Sequence, residues 1–205
     1  MAISAALFCG VIPVGTPDPL AASAPPMRFS SARALEHVRA VASAPRPMGS
    51  PHSDAVRMYL LERLSALGLQ AEVQEATTAR FSLDGLVAGR PKNVIARLEG
   101  TGDGDQAFLV VAHYDSVPTG PGASDDGAGV AVMLETARAL KAGPLPRNDV
   151  ILLLTDGEER GLLGAQTFAN GHRWASDVAV VLNLETRGNT GACLLYTSPS
   201  PRDRS

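Results

Sequence analysis

The sequence lacks several features that would assign it to a specialised class of protein. It has only two cysteines in 205 residues, Cys9 and Cys193, near opposite ends of the chain. They give no information on the redox compartment, and no disulfide is predicted. No run of Lys or Arg is present and the formal net charge is −3, which argues against a nucleic-acid partner or an anionic-membrane surface. Small or neutral substrates fit this charge better.

The composition that remains is that of a globular domain. Hydrophobic residues make up 45% and charged residues 19% of the chain, enough for one domain with a sizeable core. The apolar stretch 1–15 is shorter than the roughly 18 residues that a membrane-spanning helix needs. We interpret residues 1–27 as an apolar leader and linker, a remnant of a signal or membrane anchor, and expect an exported or membrane-tethered location, the alternatives being a mis-called start codon or a disordered leader.

The spacing of apolar residues predicts alternating helices and strands. Helices are predicted over about 30–42, 53–67, 127–141 and 162–169, and strands over about 70–74, 93–98, 108–112, 150–154 and 178–184. Strands that alternate with helices predict an α/β fold with a mostly parallel, mixed sheet and helices on both of its faces.

The last residues of the chain break this pattern. The segment YTSPSPRDRS at 196–205 is polar and rich in Pro, Ser and Arg, and we expect it to lie outside the sheet. The stretch 193–203 resembles the translation of a sequencing-library transposon adapter. We therefore expect 193–205 to be a non-native tail and the domain to be incomplete, the alternative being a disordered native tail.

Polar motifs follow the predicted strands at their carboxyl ends, which is where open α/β sheets bind ligands. His113-Tyr-Asp115 follows the strand at 108–112. Because alternate residues of a strand face the same side, His113 can bind a metal while Asp115 hydrogen-bonds the other nitrogen of its ring. For this pair alone, an ordinary polar strand end is the alternative.

A glycine-rich turn, GASDDGAG at 122–129, precedes the third predicted helix. Such a turn can cradle a phosphate, but Asp125 and Asp126 would repel an anion and attract a cation. One aspartate is enough to cap the helix, so the second needs another role, and bridging two metal ions is one.

The strand predicted at 150–154 runs into TDGEERG, which places three carboxylates within four positions. Carboxylates this close raise one another's pKa unless a cation lies between them. Glu158 and Glu159 leave the strand in different directions, so one can bind a metal while the other holds a water. Glu185 ends the next predicted strand in a similar way. A solvated acidic turn is the alternative for the DGEE stretch taken alone.

These side chains together form a candidate metal site. Imidazole and carboxylate groups in this mixture suit zinc best and manganese or cobalt less well. In a two-metal site the ions lie about 3.5–4 Å apart, and a carboxylate can bridge them. The candidate ligands are His113, Asp125, Glu159 and Glu185.

In combination, the motifs resemble the zinc-dependent M28 peptidases, a family that includes bacterial aminopeptidases and membrane-tethered metallopeptidases of the endoplasmic reticulum and vacuole. The resemblance covers about residues 28–192, interpreted as the N-terminal portion of the peptidase domain, and residues 28–68 look most like the membrane-tethered branch. It implies a zinc aminopeptidase-like fold, a peptide substrate, and membrane attachment through segments outside this chain. It is carried by HYDSVPTGPGASDDGAG, TDGEERGLLGA and NLETRG.

The resemblance also implies a zinc ligand set. It makes His113 and Glu185 ligands of one zinc, Asp125 the bridging ligand, and Glu159 a ligand of the other zinc. The family takes its last ligand from a histidine well downstream of the NLE motif, and this chain has none there. The second zinc is therefore expected to be one ligand short.

Two further roles follow from the same resemblance. Glu158 becomes the general base, and Asp115 orients His113. The peptide bond between Asp125 and Asp126 is expected to be cis.

The remaining histidines, His37, His52 and His172, are expected on the surface.

The function implied is that of a zinc-dependent metalloexopeptidase. It would be an aminopeptidase that hydrolyses peptide bonds with a water activated by two Zn²⁺ ions per complete domain. Three alternatives stay open: an M20-type amidohydrolase, a glutaminyl cyclase-like acyltransferase, and a non-catalytic ectodomain of the same fold. Because the second zinc lacks a ligand, the 205-residue chain by itself is expected to be inactive.

Overall fold

A six-stranded sheet organises the molecule. The computed structural model describes residues 18–82, 85–102, 106–186 and 194–199, so Cys9, Cys193 and most of the predicted leader lie outside the described residues. The helices are α1 Ser31–Val41, α2 Pro51–Ala66, α3 Gly127–Lys141 and α4 Leu163–Gly171, followed by a 3₁₀ helix Arg173–Asp177. The strands are β1 Ala71–Glu75, β2 Thr78–Ser82, β3 Gly85–Gly89, β4 Lys92–Leu98, β5 Ala107–His113, β6 Asp149–Thr155, β7 Val178–Glu185 and β8 Leu194–Pro199.

The order of strands in the sheet is β1-β4-β6-β5-β7-β8. Its centre is parallel, because β5 pairs in parallel with both β6 and β7. The outer pairs, β1 with β4, β4 with β6 and β7 with β8, are antiparallel. The predicted α/β fold with a mixed sheet is confirmed, and its parallel core is the part that brings the polar strand ends together.

Side chains alternate between the two faces of the sheet and build a core on each. On β6, Leu152 and Leu154 pack on one face with residues from α1, α2 and α3. Ile151 and Leu153 pack on the other face, against Phe168 of α4. A strand covered on both faces reads as a continuous apolar run, which is what the sequence has there.

Polar caps fix where the helices begin. Ser30 accepts a hydrogen bond from the amide of Arg33 at the start of α1, and Ser50 accepts one from Ser53 at the start of α2. The Asp126 carboxylate caps α3 by accepting from the amide of Gly129. Each cap satisfies an amide that the first turn of a helix leaves without a partner.

The described part of the predicted linker, residues 18–27, is held against the domain. Arg33 donates to the carbonyl oxygens of Ala22 and Ala24, and Arg138 donates to that of Pro26. Both arginines also bind the fully buried carboxylate of Glu135 on α3. This buried carboxylate thus anchors the segment that leads into α1.

Two strand pairings were not predicted. Strands β2 and β3 form a separate antiparallel hairpin, whose turn includes Gly85 at a φ of 114°. The expectation that residues after 195 lie outside the sheet is wrong, because β8 pairs antiparallel with β7, from Leu194 opposite Glu185 to Pro199 opposite Val180. An edge strand has unpaired backbone groups that any extended segment can satisfy. The non-native origin of 193–205 stays a prediction.

Candidate metal centre

The carboxyl ends of β5, β6 and β7 meet at one edge of the sheet. His113 is the last residue of β5, Glu185 is the last residue of β7, and Glu158 and Glu159 follow the end of β6 by a short turn. The three strands are adjacent and parallel, so their carboxyl ends point the same way. Ligand sites of open α/β sheets lie at this edge.

Three of the predicted ligands converge there. The Nε2 atom of His113 lies 2.9 Å from Oδ1 of Asp125 and 3.9 Å from Oε1 of Glu185. The ligand atoms of these three residues all lie within 4.8 Å of one another. One imidazole and two carboxylates are donors that zinc accepts, and their spacing allows all three to reach one ion. These residues therefore fit the metal that the sequence predicts.

Asp115 connects His113 to the loop after β6. The Nδ1 atom of His113 lies 3.2 Å from the main-chain oxygen of Asp115 and 3.4 Å from its Oδ1. The same carboxylate accepts the backbone N–H groups of Glu158 at 3.0 Å and Glu159 at 3.2 Å. Asp115, which is fully buried, thus fixes both the histidine ring and the backbone of the two glutamates.

Glu158 and Glu159 lie in different places, as expected for adjacent residues. Oε2 of Glu158 is 3.9 Å from Nε2 of His113. Glu159 lies outside the three-residue group. Burial raises the pKa of both glutamates, and nearby carboxylates raise it further, above all that of Asp125 for Glu159.

The electrostatics of the centre favour a cation. Burial alone would lower the pKa of His113, but the hydrogen bonds with Asp115 and Asp125 and the negative charges of Asp115 and Asp126 outweigh it and raise the pKa to about 11. The hydrogen bond from His113 in turn lowers the pKa of Asp125. Without a metal, a protonated imidazole supplies the positive charge that these carboxylates require.

Asp125 and Asp126 divide the two roles that the sequence suggested for the pair. The peptide bond between them is cis, as predicted. Asp126 is buried and accepts the N–H groups of His113 at 3.1 Å and Gly129 at 2.9 Å, so it caps α3 and holds the end of β5. Burial raises its pKa to about 8. Asp125 is left to face the metal group.

The structure adds buried polar residues that the sequence reasoning missed. Arg46 is fully buried behind the β5–α3 loop, and Asp156 is buried next to the amide of Lys92. Arg46 lies in a short Pro-containing loop, and no local pattern there indicates burial.

The expectation that His172 is on the surface is wrong. The His172 side chain is buried, stacks on the ring of Phe168 and forms a hydrogen bond with Glu72.

Comparison with known proteins identifies the family. The model of peptidase family M28 matches residues 93–205, just over half of the chain. The chain belongs to peptidase family M28. Its fold and motifs were predicted to resemble this family, and that prediction is confirmed; the same match decides against the M20-type alternative.

Among relatives of this M28 chain is the vacuolar membrane protease of Schizosaccharomyces japonicus, 35% identical over 175 residues that cover 81% of this chain and 20% of the relative. Endoplasmic reticulum metallopeptidase 1 of Mus musculus is 34% identical over 177 residues, which cover 79% of this chain and 19% of the relative. The predicted likeness to the endoplasmic-reticulum and vacuolar members is confirmed. The M28 chain spans about one fifth of the length of these relatives.

Solved structures agree with this placement. The glutaminyl cyclase of Porphyromonas gingivalis has a TM-score of 0.63 at 29% identity, covering 77% of this chain and 59% of that one. A zinc aminopeptidase from Bacillus subtilis has a TM-score of 0.67 and covers 78% of this chain and 70% of its own. Because the two sequences are only 17% identical, this likeness supports the fold alone. Membership of family M28, together with the group formed by His113, Asp125 and Glu185, implies zinc as the metal. Among its described residues, the M28 chain has no helix long and apolar enough to cross a membrane.

Proposed function

We propose that this chain carries the metal centre of a zinc-dependent aminopeptidase that uses two zinc ions. The observation that carries the proposal is the convergence of His113, Asp125 and Glu185 within 4.8 Å, with the Glu158 carboxylate 3.9 Å from the same imidazole. Three ligands together with a free carboxylate beside them are the parts that metal-assisted hydrolysis needs.

The ligands divide between two ions in this proposal. His113 and Glu185 would hold one zinc, Glu159 would hold the other, and Asp125 would serve both. The position of Glu159 outside the three-residue group fits a separate ion. When bound, zinc supplies a Lewis acid that polarises the scissile carbonyl and lowers the pKa of water towards about 7.

Glu158 acts as the general base. Its carboxylate takes a proton from the attacking water and returns it to the amine that leaves. A pKa raised by burial and by the surrounding carboxylates suits both steps, because the group must accept and then release a proton near neutral pH. Asp115 fixes the position of this base relative to His113, because its one carboxylate contacts both the ring of the histidine and the backbone N–H of Glu158.

The substrate proposed is a peptide with a free α-amine, whose amine lies beside the metals. The names of the relatives, a vacuolar membrane protease and an endoplasmic reticulum metallopeptidase, support a protein that acts outside the cytosol and is tethered to a membrane. The membrane tether would then lie in parts of the protein outside the segment that this chain represents, which matches about one fifth of the length of the relatives.

A second candidate is cyclisation of N-terminal glutamine. Several solved structures of similar fold are glutaminyl cyclases, one of them 29% identical to this chain. In that reaction the α-amine attacks the side-chain amide of the same residue and ammonia leaves, so no water is consumed.

The test uses the purified, zinc-loaded full-length protein that contains this chain, and two peptides, one with N-terminal leucine and one with N-terminal glutamine, each also as its N-acetylated form. Metal content is measured by mass spectrometry of the protein solution, and products by peptide mass. We expect two zinc ions per complete domain and release of the first residue from the free-amine peptides alone. Loss of ammonia from the glutamine peptide without cleavage would favour the cyclase. A zinc-loaded protein that leaves all four peptides unchanged would favour the non-catalytic ectodomain.

A further inference from the structure

Arg46 is the largest of the fully buried side chains in the described part of the molecule. It lies in the loop between α1 and α2, far in sequence from every predicted ligand. Its guanidinium donates hydrogen bonds to three main-chain carbonyl oxygens. These are the oxygens of Tyr114, at 2.5 Å from Nε, of Pro121, and of Gly122, at 3.0 Å from Nη2.

These three carbonyls belong to the loop that joins β5 to α3, which carries Asp115 and Asp125. The main chain of Arg46 also binds this loop, because its N–H donates to Ser116 Oγ at 2.9 Å and its carbonyl accepts the N–H of Ser116 at 3.3 Å. One residue therefore holds the loop where it leaves β5 and again just before Asp125.

The charge of Arg46 acts on the same region. Burial lowers its pKa, but the carboxylates of Asp115, Asp126, Asp125 and Glu159 oppose this, and a guanidinium stays protonated in proteins. A positive charge behind the loop reduces the repulsion among carboxylates that must stand close together in front of it.

We propose that Arg46 is a positioning residue of the metal centre, which holds the β5–α3 loop from behind so that His113 and Asp125 are in place before a metal binds. The proposal concerns metal binding and holds for whichever reaction the centre carries out. The competing explanation is that Arg46 only fills space in the core.

Two substitutions and one control separate these explanations. Arg46→Met keeps much of the volume but loses the charge and the donors. Arg46→Lys keeps the charge but loses the planar fork that reaches several carbonyls at once. Leu60→Ala, at a fully buried position on α2, removes apolar volume from the core and leaves the side chain and hydrogen-bonding groups of Arg46 unchanged.

Zinc affinity is measured by competition with a chromophoric chelator, at a temperature where circular dichroism shows each protein folded, and thermal unfolding of the metal-free proteins is recorded beside it. We expect Arg46→Met to weaken zinc binding by about 10- to 100-fold, as loss of a partner that orients metal ligands does. Arg46→Lys should lie between Arg46→Met and the wild type. Leu60→Ala should lower the unfolding temperature with no change in affinity.

Wild-type zinc affinity in folded Arg46→Met would overturn the proposal, because the loop would then keep its shape without Arg46. If Arg46→Met does not fold, the Arg46→Lys variant decides. Wild-type zinc affinity in Arg46→Lys overturns the proposal, and weaker zinc affinity in folded Arg46→Lys supports it.

Discussion

Glu158 is the residue whose assigned role is tested most directly by one substitution. Glu158→Gln keeps the size of the side chain and removes its ability to take a proton. In the full-length protein we expect kcat to fall by about 10²- to 10⁴-fold, the usual contribution of a general base, while zinc affinity stays that of the wild type. Glu159→Gln is the matched comparison and should lose zinc as well. Full turnover in Glu158→Gln would remove this residue from the role of base.

Asp156 is a buried carboxyl whose ionisation works against folding. Its Oδ2 accepts the N–H of Lys92, while its Oδ1 has no hydrogen-bond partner within the described residues. Burial raises its pKa from an ordinary 3.8 to about 6. Between these two values the unfolded chain has lost the proton that the folded chain keeps, so this group makes stability fall as the pH rises.

Asp156→Asn should remove this pH dependence. Relative to the wild type, the variant is expected to gain on the order of 2 kcal/mol in free energy of unfolding between pH 4 and pH 8. Urea unfolding of the metal-free proteins across this range measures the change, and Asp18→Asn at an exposed position is the control. A constant difference between variant and wild type at every pH would contradict the assignment.

At the scale of elements, the β5–α3 loop depends on backbone that only glycine adopts easily. Gly122 has a φ of 55°, and a Cβ there would collide with the carbonyl oxygen of Asp125. The carbonyl of Gly122 also accepts the N–H of Gly127 at 3.0 Å, which joins the loop to the start of α3. A side chain at this position would therefore disturb both Asp125 and the helix that follows.

We expect Gly122→Ala to lower the free energy of unfolding by about 1–3 kcal/mol and to weaken zinc binding. Gly120→Ala, two residues earlier, is the control, because its added Cβ would meet only a Val117 methyl group, at 3.9 Å. Thermal unfolding and chelator competition give the two readouts. Equal behaviour of the two variants would show that the loop adapts to a side chain at Gly122.

At the scale of the whole molecule, a metal should stabilise the fold because its ligands come from separate elements. His113 ends β5, Asp125 lies in the loop before α3, and Glu185 ends β7. An ion that binds only the folded arrangement shifts the unfolding equilibrium towards the native state. A zinc concentration of 1,000 times Kd would add about 4 kcal/mol.

This stabilisation should depend on pH, because zinc and a proton compete for His113, whose pKa in the metal-free protein is about 11. Below that value the apparent zinc affinity is expected to fall about tenfold for each unit of pH, so zinc should raise Tm less at pH 6 than at pH 8. Differential scanning calorimetry with and without zinc measures the shift, and His113→Asn should abolish it. A shift equal at both pH values would contradict proton competition at His113.

The sequence alone determined features that depend on neighbouring residues. The apolar run before Thr155 predicted a buried strand, and an aspartate of the glycine-rich turn was expected to cap α3, as Asp126 does. These patterns are readable because strand and helix geometry repeats every two to four residues. The positions of His113 and Glu185 at strand ends follow from the same local reasoning.

Only the tertiary structure decided which strands are neighbours and which charges are buried. The placement of β5 between β6 and β7 brings His113 close to Glu158 and Glu185. Arg46 becomes a buried cation only because a loop some 70 positions later folds over it. Such contacts join groups far apart in the chain, and their free energy depends on burial that no local pattern contains.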